Sequence, residues 1–192
     1  MSGPRRQRAT SARCQAALLL TLLGLALVGV VLATPPAAST ASSANAGGRI
    51  IVAGGVRLVV PSGWRRVRAA SAGNIIDPVT VLVVGTAGVL PRSSPCQIAA
   101  YRLPPTGAVV VIVRWKSVAS AGGGPWRPGR APLLKLRSVH RPSFECFSGR
   151  GAVADVLLGG HPYQVNVMVG DRASNERVAA ALAVARSFAL AR

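Results

Sequence analysis

The sequence predicts an α+β fold in which a mostly antiparallel β-sheet carries a C-terminal helix on one face and is preceded by an N-terminal hydrophobic helix. Three observations support this prediction. Short apolar runs separated by turn residues begin at Arg49, which is typical of a β-rich domain. The end of the chain has apolar residues at helical spacing, and residues 16–33 are apolar and carry no charge.

The first 33 residues have the pattern of an export segment. Residues 1–15 contain no acidic side chain and four arginines, which are Arg5, Arg6, Arg8 and Arg13. The uncharged residues 16–33 are longer than most signal-peptide cores, about 7–15 residues, and slightly shorter than a membrane span of about 20. We therefore expect a single-pass membrane anchor with the C-terminal part outside the cytoplasm. The alternative is a cleaved signal, after Ala33 or Ala46, and a secreted protein.

A linker and a basic domain follow this segment. Residues 34–48 are rich in Pro, Ala and Ser and predict a linker, and residues 49–192 predict the extracytoplasmic domain. The chain has 23 Lys and Arg against 5 Asp and Glu, a net charge of +18. This charge favours anionic lipid, anionic wall polymer or nucleic acid as a partner. Export and the 4% content of aromatic residues disfavour nucleic acid.

The first elements of the domain are predicted strands. Residues 49–60 predict a β-hairpin, because Gly54-Gly55 can supply the positive φ angles of its turn. Residues 61–64 (PSGW) predict a turn, and residues 77–85 (DPVTVLVVG) predict a strand. Residues 107–116 (GAVVVIVRWK) predict a central strand, since they are apolar on both faces.

The LPPTG motif, residues 103–107, resembles a sortase sorting signal. Such a signal needs a membrane-spanning stretch after the motif, near the end of the chain. Here the apolar run is Ala108 to Val113, which reaches roughly 20 Å as a strand, short of the ~30 Å hydrocarbon core. The motif therefore predicts a turn that leads into a strand.

The second half of the domain is predicted to contain a loop, a hairpin and a helix. Residues 120–132 predict a loop, because glycines and three prolines oppose regular structure. Residues 151–158 and 162–170 predict a second hairpin around Gly159-Gly160. Residues 174–190 predict a helix that Ser174 can cap and whose dipole Glu176 complements. Its apolar stripe, for packing on the sheet, comprises Val178, Ala181, Leu182, Ala185, Phe188 and Ala189.

The segments VPSGW, DPVTVLVVG, LPPTGAVVVIV, FECF, GGHPYQVNVMVG and ARSFAL resemble exported proteins of high-GC actinobacteria. The order of hairpins and the closing helix is loosely similar to Mog1/PsbP-like α/β domains. That fold usually has a further helix early in the domain, and no helix is predicted between Arg65 and Pro78. The resemblance implies an exported α/β domain and assigns no role to any residue.

Two cysteines belong to the exported domain. Cys96 and Cys146 are predicted to form a disulfide, since this is the simplest state of a cysteine pair outside the cytoplasm. The alternative is a thiol-dependent enzyme that uses Cys146 with His140 or His161, or a zinc site built from these residues and Cys96. Structural zinc ligands usually come in close pairs such as Cys-x₂-Cys, and these residues do not.

Other catalytic patterns are absent from the sequence. GRGAVA, residues 149–154, matches a dinucleotide-binding pattern, but a strand rather than a helix is predicted to follow it. The five acidic residues Asp77, Glu145, Asp155, Asp171 and Glu176 leave little for acid–base chemistry. We therefore predict no catalytic residue, no metal and no cofactor.

Each tryptophan adjoins an arginine, a combination that can hold phosphates or sugars while the ring stacks. The predicted anionic-ligand surface comprises Trp64, Arg65, Arg66, Arg68, Arg114, Lys116, Trp126, Arg127 and Arg130. The sequence thus favours a non-enzymatic exported domain that binds an anionic envelope component or an unknown partner protein. A structural subunit of an envelope complex is a further alternative.

Overall fold

Twelve strands and two helices occur in the computed structural model, which describes residues 48–71, 75–124, 126–144 and 147–192. In chain order they are β1 (Arg49–Ala53), β2 (Val56–Val60), β3 (Trp64–Arg66), β4 (Val79–Thr86), β5 (Leu90–Pro91), β6 (Tyr101–Arg102), β7 (Ala108–Arg114), β8 (Arg127–Pro128), α1 (Ala131–Leu134), β9 (Arg141–Phe144), β10 (Phe147–Leu158), β11 (His161–Val169), α2 (Asn175–Arg186) and β12 (Ala189–Leu190).

The main sheet has the strand order β3-β4-β7-β11-β10-β8, and β9 also pairs with β10. Its neighbours are antiparallel except for β8, which runs parallel to β10. A smaller sheet has the order β1-β2-β12, and β5 pairs with β6. The prediction of a mostly antiparallel sheet with a C-terminal helix is confirmed.

β7 is the central strand of the main sheet, as predicted. It lies between β4 and β11, and residues Ala108 to Val113 are fully buried. Alternate residues point to opposite faces of a strand, so Val110 and Ile112 face one side and Val109 and Val111 the other. A strand that is covered on both sides needs apolar side chains on both, and this is the pattern in the sequence.

The two faces of the main sheet have different covers. The side of Val110, here the helix face, packs against α2 through Ala181, Leu182 and Ala185. The side of Val111, here the loop face, packs against buried residues between β4 and β7, among them Val89, Ile98, Ala100 and Tyr101. The domain is therefore layered, with helices over one face and an irregular segment over the other.

The predicted C-terminal helix is right in position and wrong at its end. Ser174 caps α2 by accepting a hydrogen bond from the Arg177 amide at 3.2 Å, and the helix stops at Arg186 instead of residue 190. The next residues form β12, in which Ala189 pairs with Arg57. Pairing with a strand from the other end of the domain overrides the local helical pattern.

The predicted loop 120–132 and the predicted turn 61–64 each contain regular structure. α1 begins inside the loop, because a proline in the first turn of a helix lacks only an N–H that would have no helical partner there. Its Leu133 is fully buried. Trp64 likewise starts β3, after a turn in which its amide donates to the carbonyl of Pro61 at 3.3 Å.

The LPPTG motif forms a turn at the start of β7, as predicted. The Gly107 amide donates to the carbonyl of Pro104 at 2.8 Å, and the strand begins at the next residue. The GRGAVA segment lies within β10, so a strand and not a helix follows its glycines, again as predicted.

All described residues belong to one compact unit, Ser43–Arg192. Within them, neither helix is long and apolar enough to cross a bilayer. The predicted basic segment 1–15, apolar segment 16–33 and most of the linker 34–48 lie outside the described residues.

Candidate anion-binding cleft

A basic segment between α1 and β9, residues 135–140, is the starting point of the candidate site. Leu136 and Val139 are buried in the core on the helix face, and they follow the buried Leu133 at intervals of three residues. These anchors leave the intervening side chains at the surface. The exposed residues are Lys135, Arg137, Ser138 and His140.

A cleft of about 350 Å³ lies between this segment and α2, and we call it the basic cleft. Its polar lining comes from Arg137, Ser138, His140, Arg150 and Asn175, and its apolar floor from Val139, Val178, Ala179 and Leu182. A smaller cavity of about 230 Å³ lies on the other side of the segment, toward β10, and Lys135 lines it with Arg137 and His140. No acidic side chain lines either cavity among the residues that the structure describes.

The arginines around the basic cleft are held by main-chain carbonyls. Arg150 donates to the carbonyls of Gly170, at 3.2 Å, and Ala173, at 3.1 Å. Arg186 donates to the carbonyl of Leu136 at 2.8 Å, which Arg137 also contacts at 3.4 Å. A neutral carbonyl orients a guanidinium without cancelling its charge, so the cleft keeps a positive potential.

His140 is held at the cleft by a neighbour. Its Nδ1 atom shares a hydrogen bond with the hydroxyl of Ser138, and both residues line the cleft. Imidazole, hydroxyl and guanidinium groups can all donate hydrogen bonds to an anion. The cleft thus offers several donors around a volume large enough for a phosphate group with part of its substituent.

Three acidic side chains of the domain are engaged elsewhere. Asp77 accepts a hydrogen bond from the Lys116 amide at 2.9 Å, and Asp171 accepts one from the Arg172 amide at 3.0 Å. Glu176 lies in the first turn of α2, where it complements the helix dipole. These three carboxylates therefore interact with backbone amides or with the dipole of α2, and they do not neutralise the charge of the basic cleft.

A larger cavity, about 510 Å³, lies at the loop face beside the LPPTG turn. Arg92, Arg102 and Asp171 line it together, so its charge is mixed. Burial raises the pKa of Tyr101, also in its wall, although the bond that its hydroxyl accepts from the Ala70 amide lowers it. A neutral phenol between opposite charges is a poorer anion site than the basic cleft, despite the larger volume.

The nine residues of the predicted anionic-ligand surface fall into two groups. The first group is on or just after β3 and comprises Trp64, Arg65, Arg66 and Arg68. The second is at the opposite end of the main sheet and comprises Arg114, Lys116, Trp126, Arg127 and Arg130. Trp64 pairs with Thr86 of β4, which lies beside the start of β7. Arg114 is the last residue of β7, so the two groups are roughly 20 Å apart along the strands.

Several of these residues have roles that the sequence did not indicate. Trp64 is 3% exposed and belongs to the core, so its ring is not available for stacking. Arg130 precedes α1 and donates to the carbonyl of Arg186, which ties the loop to α2. Arg127 and Arg114 share one row across the sheet, because Val156 and Tyr163 link them in register.

Sequence reasoning missed Lys135, Arg137 and Arg150. A pattern was present, since Leu133, Leu136 and Val139 recur every three residues with basic residues between them. Arg150 could be associated with it only through the fold, which brings β10 and α2 to the same place.

The two histidines are far apart. His140 adjoins Arg141, which pairs with Gly151 of β10, whereas His161 pairs with Leu158 at the other end of that strand. Seven residues of strand separate these positions by roughly 23 Å. Within the described ranges, no group of three His, Cys, Asp or Glu is arranged to hold a metal ion.

The Cys96 amide donates to the hydroxyl of Ser94 at 3.1 Å. Cys146 lies outside the described residues, so the pairing of these two cysteines stays a prediction, as does the thiol chemistry of Cys146.

No protein-family model, curated protein or solved structure matches this chain. The resemblance to exported actinobacterial proteins and to Mog1/PsbP-like domains therefore stays a prediction.

Proposed function

We propose that this chain is an exported, non-enzymatic domain that binds phosphate groups of an anionic envelope component in the basic cleft. One observation carries the proposal. The guanidinium groups of Arg137 and Arg150 line the cleft, are oriented by carbonyls and keep their charge, and no carboxylate of the described residues lines the cleft.

The N-terminal sequence supports export of the domain. A basic segment of 15 residues and an uncharged segment of 18 precede the domain. We propose that residues 16–33 form a membrane helix with the domain outside the cytoplasm, and that cleavage to a secreted form is the alternative. Lipid headgroups and wall polymers are the anions that such a domain meets.

Phosphate is the ligand chemistry that best fits the donors of the cleft. Arginine binds phosphate through two parallel N–H···O bonds, and such charge-assisted bonds are about twice as strong as neutral ones. The apolar floor around Val178 and Leu182 suits the carbon atoms next to a phosphodiester better than a fully hydrated ion.

Binding of a labelled glycerol-phosphate oligomer to the full-length chain in neutral detergent would test the proposal. We expect Arg137→Gln to bind at least about tenfold more weakly, since a charge-assisted bond contributes about 1.5–3 kcal/mol. Binding should also weaken between about 50 and 200 mM salt as screening increases.

The matched control is Arg114→Gln, which removes the same residue type at the far end of the sheet. Retained binding in the control with loss in the first variant supports the cleft. Equal loss in both would show that total charge decides, and loss only in the control would place the site on the predicted surface; both results contradict the cleft. Competition by vesicles of phosphatidylglycerol against the oligomer distinguishes a lipid headgroup from a wall polymer.

A further inference from the structure

The outer face of the small sheet is apolar, and none of the residues that the structure describes covers it. In β1, Ile50 is 53% exposed and Val52 is 52% exposed, and the Val59 side chain of β2, opposite Ile50, is 39% exposed. The intervening Ile51 is buried, so alternate residues divide between the core and this outer face. Exposed branched side chains gathered on one face are typical of an interaction surface.

Among the described strands, β1 pairs with β2 alone, so its backbone is open on the other side. β1 is the edge strand of its sheet, and the turn at Gly54 and Gly55, with φ angles of 56° and 75°, closes on the pair Ala53 and Val56. Hydrogen-bonded and non-hydrogen-bonded pairs alternate along a hairpin. The amides of Ile50 and Val52 therefore point away from β2, toward the free edge.

The charges near this face are mainly positive. Arg57 is opposite Val52 on the outer face. At the start of β1, on the other side of the strand, the Arg49 guanidinium donates to the carbonyl of Trp64 at 3.1 Å, beside the exposed Arg65 and Arg66. Glu176 is an acidic side chain on this side of the domain, where it lines a cavity with Arg177 beyond the β2–β3 turn. The face therefore has an apolar centre with arginines near its edge. An anionic bilayer matches this arrangement, because its headgroups are negatively charged and the acyl chains beneath them are apolar.

We infer that the outer face of the β1–β2 hairpin, centred on Ile50, Val52 and Val59, docks on the anionic lipid surface of the membrane that anchors the chain. A second copy is disfavoured as the occupant, because each domain carries 19 basic and 5 acidic residues from Gly48 onward and two such faces repel. This inference rests on the proposed membrane anchor but not on the basic cleft.

Because the linker tethers the domain to the membrane, a modest affinity of this face for lipid is sufficient for docking. Fifteen residues, 34–48, separate the end of the predicted anchor from β1 and reach at most about 50 Å when extended. The hairpin is thus held near the bilayer at a high effective concentration, so a modest affinity for lipid keeps it docked. β1 is also the first element after the linker, which places this face, rather than α2, closest to the anchor along the chain.

Amide hydrogen exchange of the full-length chain in lipid nanodiscs, at one chain per disc, would test this inference. The discs contain phosphatidylcholine alone or phosphatidylcholine with one third phosphatidylglycerol. We expect the amides of Ile50 and Val52 to exchange at least about tenfold more slowly in the anionic discs, because docking covers the free edge. The turn at Gly159-Gly160 should exchange equally in both discs.

Two variants complete the test. Ile50→Ser with Val52→Ser should abolish the difference between discs, whereas Ile76→Ser with Val118→Ser removes two other exposed apolar side chains, 88% and 37% exposed, and should preserve it. Equal exchange of the native chain in both discs overturns the inference, and so does protection that appears only when two chains share a disc. Co-elution of chain and disc is measured separately, so that failure of the anchor is distinguished from failure of docking.

Discussion

The carbonyl oxygen of Pro105 occupies the space that a side chain at Gly170 would need. A Cβ atom at Gly170 would collide with this oxygen and with that of Pro104, and it would lie 2.5 Å from the Pro105 carbonyl carbon. Two backbone bonds hold the segments together: the Gly170 amide donates to the carbonyl of Gly107 at 2.9 Å, and the Arg172 amide to that of Pro105 at 2.8 Å. The LPPTG turn therefore packs against the connection between β11 and α2 and is hydrogen-bonded to it.

Gly170→Ala is expected to destabilise the protein by about 2–3 kcal/mol, because the atoms in the way are backbone and cannot rotate aside. Gly124→Ala is the matched control, since its Cβ would meet only a ring nitrogen of Trp126, at 3.8 Å. Urea unfolding of both variants measures the difference. A Gly170→Ala protein as stable as the native chain would show that the turn can move away from α2.

Loss of the predicted disulfide is expected to cost about 4 kcal/mol, the chain-entropy value for a closed loop of about 50 residues. If Cys96 and Cys146 pair, then Cys96→Ser, Cys146→Ser and the double variant lose the same stability, and a reductant lowers the stability of the native chain alone. Intact mass after alkylation, with and without reduction, counts the free thiols. An alkylatable Cys146 in the native, unreduced protein would contradict the pairing and favour the thiol chemistry.

Alkaline pH is expected to destabilise the domain through Tyr101. Burial raises the pKa of Tyr101 above its ordinary value of 10.0, so the unfolded chain releases this proton first. The stabilisation is complete below pH 10 and falls as the pH rises toward the folded pKa, by at most about 1.4 kcal/mol per pH unit. Tyr101→Phe should show a shallower decline between about pH 9 and 11.5 in urea unfolding. Parallel declines would show that other groups account for the alkaline loss.

Much of the candidate site could not be predicted from the sequence, for a reason that Arg150 illustrates. Its neighbours in the chain lie on β10, but the carbonyls that orient it belong to Gly170 and Ala173, after β11. A charged residue in a strand carries no local mark of what it faces across the fold. The tryptophan–arginine pairs, by contrast, were conspicuous in the sequence, and the fold separates them into two groups.

The sequence by itself determined the elements whose cause is local. The glycine pair made the first hairpin, the doubly apolar run made the central strand β7, and Ser174 began α2, because turn geometry, periodicity and capping depend on residues a few positions apart. The tertiary structure decided where α2 ends and what the basic segment 135–140 faces. Ala189 leaves the helix to pair with Arg57, and the anchors Leu136 and Val139 bring basic side chains against α2. Both outcomes depend on burial against distant residues, which outweighs local propensity.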